Sequence, residues 1–273
     1  MMSFFRTVTV TAAEAGRSPD MLTRMRAQDI DGIIVKQVYE RATCDAVRDA
    51  LDAGPHDLIR TDFPAKFAAF FYGINLNLTH PDLKDYFSEV PRFRDGLSRL
   101  FPGELDLESR LTMLLSTLDQ GCDYAPAPGP DPGTSYMFTT VRAHLPGGYI
   151  PAHFDDEQAR RPSYRHLLPL IQLKLFSFVL AFSQAEQGGA LEIFNLQPER
   201  DGQRIAVGDR SAVVPDLDAA EKVSFRLDPG DMILFNSGRY LHRVTPVMGA
   251  KVRWTACSFM AESRSPGRVY CWG

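Results

Sequence analysis

The sequence has few cysteines, and none lie in a pair that a metal site or a disulfide framework would use. Cys44, Cys122, Cys257 and Cys271 are widely spaced and form no C-x-x-C. That excludes a zinc ribbon and a disulfide scaffold, and it fits reduced thiols in a cytoplasm. There is no excess of positive charge either. Thirty Lys and Arg against 34 Asp and Glu leave a net charge of −4. Nucleic-acid binders usually show a basic excess or stripe, so nucleic acid is not an expected partner. Long apolar runs are also missing. The most apolar window, Leu175 to Phe182, is far short of the roughly 20 residues of a membrane helix. The N-terminus, MMSFFRTVTVTAAEAG, has a broken apolar stretch and an acidic Glu14, so it lacks the apolar core of a signal peptide. Internal repeats are absent. A cytoplasmic protein with no membrane partner is expected, and nothing in the sequence sets an oligomeric state.

What is present is an ordinary globular composition. The 273 residues are 44% apolar and 23% charged, enough to bury a conventional core. Ala125 to Gly133, APAPGPDPG, cannot continue a helix or a sheet interior and divides two textures. Before it, helices are predicted over Leu22 to Asp29, Asp45 to Leu51 and Leu105 to Leu118, with a short strand at Gly32 to Val35. After it, the period shortens. Tyr136 to His144, Leu170 to Phe182, Ala190 to Phe194, Val223 to Leu227, Met232 to Phe235 and Lys251 to Phe259 read as short strands between turn signals. The expectation is an α+β protein: a mainly helical region over 1–134 supporting a double-sheet β-core, a sandwich or jelly roll, over 135–273, together one structural unit.

Three polar signals lie in the β half. His153 and Asp155 are two apart, so on a strand they face the same way. Such a pair supplies two ligands of a 2-His-1-carboxylate triad. His242 follows the turn and strand Pro229 to Phe235. A four-residue hairpin loop over Pro246 to Gly249 would set Arg253 opposite His242, with Cβ atoms about 5 Å apart. Arginine there suits bidentate capture of a carboxylate. A slip in register would turn it away.

These motifs, in this order, resemble the Fe(II)/2-oxoglutarate-dependent oxygenases, most closely the prolyl-hydroxylase-like branch. His144 to Asp155 (HLPGGYIPAHFD) resembles the segment in which a P-G-G turn precedes H-x-D. Gly188-Gly189-Ala190-Leu191 resembles the G-G-x-L strand start, and Pro229-Gly230-Asp231 the strand before the distal histidine. His242 to Arg253 resembles H-x-V-x-P-V-x-x-G-x-R. The resemblance covers roughly the last 130 residues. It implies a double-stranded β-helix (jelly-roll) core, Fe(II) on His153, Asp155 and His242, 2-oxoglutarate as co-substrate, and O2. It implies hydroxylation, with release of succinate and CO2.

The chain also departs from the pattern. His144 stands where this branch often has a tyrosine that contacts 2-oxoglutarate; Tyr149, in the same motif, is a further candidate. Spacing shortened by one residue around Gly249 leaves Lys251 as a rival to Arg253 for the far carboxylate. Related halogenases have a small residue where this chain has Asp155, and a carboxylate there favours oxygenation. Asp156, Arg142 and Asn195 are candidate substrate contacts, Glu157 to Pro169 a candidate lid carrying His166, and Trp272 a candidate cap. A small amino-acid-like or natural-product substrate is expected. The alternatives are a peptide or protein hydroxylase and a non-catalytic cupin-like binding protein.

Overall fold

The computed structural model describes residues 3–54, 58–78, 83–200, 203–204 and 216–273. Its axis is the strand Arg253–Glu262, nine of whose ten residues are buried. This strand pairs antiparallel with Thr140–His144 and with Phe176–Ala181. Phe176–Ala181 in turn pairs with Met232–Phe235. A smaller sheet has the order Lys222–Phe225, Leu191–Phe194, His242–Val244, Ile150–His153. From Thr140 onward the chain passes back and forth between the two sheets, and their facing sides enclose apolar side chains such as Leu191, Ile193, Ile233 and Phe235. Successive residues of a strand point to opposite faces, so each of these strands sends alternate side chains into the space between the sheets.

The N-terminal part supplies helices, as its pattern predicts, but also half of the large sheet. Five strands that precede residue 135 belong to that ten-stranded sheet: Thr7–Thr11, Gly32–Lys36, Arg60–Asp62, Ala69–Tyr72 and Asp123–Pro126. Gly32–Lys36 extends one side through Met232–Phe235, and Ala69–Tyr72 extends the other through Thr140–His144. The helical support and the β-core therefore share one hydrogen-bonded sheet. Asp123–Pro126 enters the Pro/Gly stretch as an edge strand, parallel to Arg268–Trp272. At an edge the missing N–H of proline breaks no ladder.

Helices form near Met21–Arg26, Arg41–Asp52 and Leu107–Thr117, close to the predicted spans. Asp106 caps the last of these, its carboxylate accepting from the Ser109 amide at 2.8 Å. A fourth helix, Lys84–Leu100, runs through Pro91 and Gly96, residues that read as breakers. It forms because Tyr86, Val90, Phe93 and Leu97 recur at helical spacing and bury one face. Packing outweighs the local propensity. Among the described residues no helix is long and apolar enough to cross a membrane.

One buried charge joins helix to sheet. The fully buried side chain of Asp119 accepts two hydrogen bonds from Arg26, at 2.7 and 2.8 Å, one from Thr23 and one from the Tyr124 hydroxyl. Removing one partner of such a network strands the others without water. Asp119→Ala is expected to cost about 3–5 kcal/mol of stability. Urea unfolding checks this, and an unchanged midpoint would contradict the assigned role.

Candidate functional site

The small sheet brings the two histidines together. His153 ends the strand Ile150–His153, His242 begins the strand His242–Val244, and their Cα atoms are direct partners. The strand stops at His153, so Asp155 is not on it, as the sequence alone would have it. Asp155 opens the short helix Asp155–Gln158. The intervening Phe154 is buried and extended (φ −109°, ψ 136°), which carries the alternation one step past the strand. Asp155 thus faces the same point as His153.

At that point Asp155 Oδ1 lies 3.4 Å from His153 Nε2 and 3.8 Å from His242 Nε2. One donor atom from each residue falls within 4.8 Å of the others. Each imidazole is turned by its other nitrogen. His153 Nδ1 is 2.8 Å from the Pro151 carbonyl, and His242 Nδ1 is 3.0 Å from the Tyr240 carbonyl. A carbonyl only accepts, so each Nδ1 donates, and each Nε2 presents a lone pair inward. Burial works to raise the Asp155 pKa, but the positive charge that His242 and His153 carry when protonated outweighs it and holds the carboxyl down at about 2. Burial, then the neighbouring His153, pushes His242 down to about 4, with Asp155 opposing. An ionised carboxylate and a neutral imidazole are the states a metal requires. Asp155 Oδ1 is buried and accepts no hydrogen bond. An orphaned carboxylate oxygen facing two lone pairs is costly without a cation and natural with one. The donor set fits iron.

Across the gap, on the large sheet, Arg253 is buried at 8% exposure and pairs with His144 in register. Its guanidinium is 3.4 Å from His144 Nδ1 and has no acidic partner among the described residues. Burial lowers its pKa to about 10, so it stays charged near neutrality. Burial first, then Arg253 and Arg142, holds His144 well below the ordinary range and therefore neutral. Gly189 leaves room for the arginine: a Cβ there would lie 2.9 Å from Arg253 Cδ.

The predicted hairpin does not form. His242 pairs with Ile193 and His153 in one sheet, whereas Arg253 pairs in the other. The segment between them crosses the gap, held by Val247–Met248 pairing with Gln187–Gly188 and by the Val247 amide donating to the Gly148 carbonyl. Arg253 reaches the cavity because the sheets face each other. Lys251 is exposed and lines a different cavity with Arg48 and Asp52.

The cavity around the triad is lined by Arg142, His144 and Arg253 among the residues singled out from sequence. The others lie elsewhere. Tyr149 packs edge-on against Phe67. Asp156 accepts a 2.9 Å hydrogen bond from the Leu175 amide, and Asn195 donates to Glu221 at 2.7 Å; neither lines the cavity. The Glu157 to Pro169 segment is not a free lid, since Ala159, Tyr164 and Leu167 are fully buried within it. His166 stacks on Tyr136, away from the triad. Trp272 is fully buried against Tyr164 and Phe259 as a packing anchor. Sequence reasoning missed Thr255, Cys257 and Phe259, which follow Arg253 at every second position and line the same cavity. The period-2 spacing from Arg253 was the available signal.

No curated protein sequence matches this chain. Among solved structures, an N-substituted L-amino acid dioxygenase from Burkholderia ambifaria AMMD superposes with a TM-score of 0.56 at 17% identity, covering 96% of this chain and 91% of that one. The epimerase SnoN from nogalamycin biosynthesis gives 0.51 at 13% identity, covering 92% and 86%. At these identities the likeness is one of fold. The family profile described as "Carrier-protein-independent halogenase WelO5" matches residues 4–273. With nearly the whole length matched, the chain belongs to the WelO5 family and is an enzyme of the iron- and 2-oxoglutarate-dependent class.

Proposed function

We propose that this enzyme hydroxylates a small amino-acid-like or natural-product molecule, consuming 2-oxoglutarate and O2 and releasing succinate and CO2. The carrying observation is the buried Asp155 carboxylate, whose Oδ1 accepts no hydrogen bond, set against two inward-facing Nε2 atoms and across the cavity from a buried Arg253 with no acidic partner among the described residues. In this reading the two facing sheets are the jelly roll that the motifs imply. His153, Asp155 and His242 hold Fe(II), and Arg253 holds the far carboxylate of 2-oxoglutarate, with His144 beside it. When bound, the iron and co-substrate couple oxidative decarboxylation to insertion of oxygen into a C–H bond. The chain's own residues orient the ligands, keep them in the right protonation states and exclude water.

The family's description names halogenation, but Asp155 favours oxygenation here. In related halogenases a small residue leaves room for halide at this position. Here a 2% exposed carboxylate fills it and points at both imidazoles. Two structurally similar proteins are named for an N-substituted L-amino acid and for a natural-product pathway, which supports the substrate class.

Four outcomes follow. Alanine at His153, Asp155 or His242 is expected to abolish Fe(II) binding and turnover; normal iron-dependent activity in His153→Ala would overturn the ligand assignment. Asp155→Gly is expected to lose hydroxylation, because the triad loses its one anionic ligand. Product analysis by mass spectrometry, with and without added halide, checks this, and undiminished hydroxylation would point to another ligand. Arg253→Ala is expected to raise the 2-oxoglutarate requirement roughly 30-fold or more while sparing iron binding, since truncating a buried charged partner costs about 2–5 kcal/mol. Lys251→Ala is expected to leave that requirement unchanged. Parallel titrations decide, and the reverse pattern would move the anchor to Lys251.

A further inference from the structure

A second arginine in the cavity has no use in the reading above. Arg142 lies in Thr140–His144, two residues before His144, so it projects to the same face of the sheet. Its Cα partners are Phe71 on one side and Thr255 on the other. The guanidinium sits over the Phe71 ring at 5.1 Å and the Phe259 ring at 5.6 Å. Rings at this distance steady the plane of the guanidinium and leave its N–H edge free to bond. Its Nε is buried and makes no hydrogen bond. No carboxylate among the described residues pairs with it.

The cavity's charge is unbalanced in one direction. Asp155 is the one acid among the lining residues, against Arg142 and Arg253. Fe(II) is offset by the two carboxylates of 2-oxoglutarate, and Asp155 by Arg253. Arg142 remains as a single uncompensated positive charge in a site with low-dielectric walls. One further negative charge balances it, and a planar fork suits a carboxylate. The wall also offers the apolar side chains of Ile150, Val179, Leu191, Phe235 and Val244, beside the small polar Ser177, Thr255 and Ser258.

We propose that Arg142 binds a carboxylate of the substrate, so that the molecule oxidised is a carboxylic acid with an apolar body. This rests on reading the site as an iron and 2-oxoglutarate centre.

The test is equilibrium binding to the full chain loaded with Zn(II), a diamagnetic stand-in for Fe(II), and 2-oxoglutarate. The probes are N-acetyl amino acids with apolar side chains, each matched with its primary amide and followed by ligand-observed NMR. The wild type is expected to bind the acids at least about tenfold more tightly than the amides, the scale of one charge-assisted hydrogen bond. Arg142→Ala is expected to remove that preference and Arg142→Lys to restore part of it, both with unchanged Zn(II) and 2-oxoglutarate affinities. Arg142→Gln keeps the side chain's bulk if the alanine variant fails to fold, and is expected to lose the preference equally. Equal binding of acids and amides by the wild type overturns the proposal, as does a preference that survives in Arg142→Gln. Loss of 2-oxoglutarate affinity in the Arg142 variants also overturns it, by making Arg142 a co-substrate anchor. Failure of the wild type itself to bind metal or 2-oxoglutarate would instead sink the reading of the site.

Discussion

The centre depends on the antiparallel register that sets His153 directly against His242. Directly opposed residues place their side chains within about 5 Å of each other on one face. The two rings are 4.3 Å apart between centroids. A slip of one residue would send one imidazole to the other face and leave Asp155 with a single partner. The ladder is irregular between His242 and Val244, where the partner strand carries Pro151. Proline has no N–H to contribute, so a bulge is tolerated there. Its carbonyl is then taken by His153 Nδ1. The residue that disturbs the ladder also fixes the tautomer of His153.

The two sheets divide the labour. The small sheet and the turn after it carry the three donor atoms, and the large sheet carries the cations Arg142 and Arg253. A buried guanidinium without an acidic partner is unfavourable by itself. In the proposed reading, an anion bound there recovers the desolvation already suffered. Neutral His144 beside Arg253 adds no competing charge. The N-terminal strands matter to this arrangement. Ala69–Tyr72 pairs with Thr140–His144 and brings Phe71 against Arg142.

Within a family described by halogenation, this chain carries a buried carboxylate, Asp155, beside His153 and His242. Fold likeness does not choose the reaction, since structurally similar proteins are named as a dioxygenase and an epimerase. The choice is local and chemical. In the proposed reading, the buried Asp155 carboxylate takes a coordination position that a small residue would leave open.

The sequence by itself determined what depends on short spacing. His153 and Asp155 two apart, the glycine turns, the strand Met232–Phe235 and the leucine stripe of Leu107–Thr117 are local patterns with a fixed period, and the chain realises them. Arg253 was also legible, but through a hairpin that does not exist. Its position comes from two sheets facing each other, a relation with no period along the chain. Lys84–Leu100 went unrecognised because burial of one face overcame a proline and a glycine within it. Asp156 and Asn195 looked like site residues by proximity in sequence, yet local hydrogen bonds engage both outside the cavity. Residues that meet across a gap of unrelated strands are decided by packing alone. Tertiary structure was therefore needed to place Arg142 and Thr255 beside the triad, and to leave Lys251 outside it.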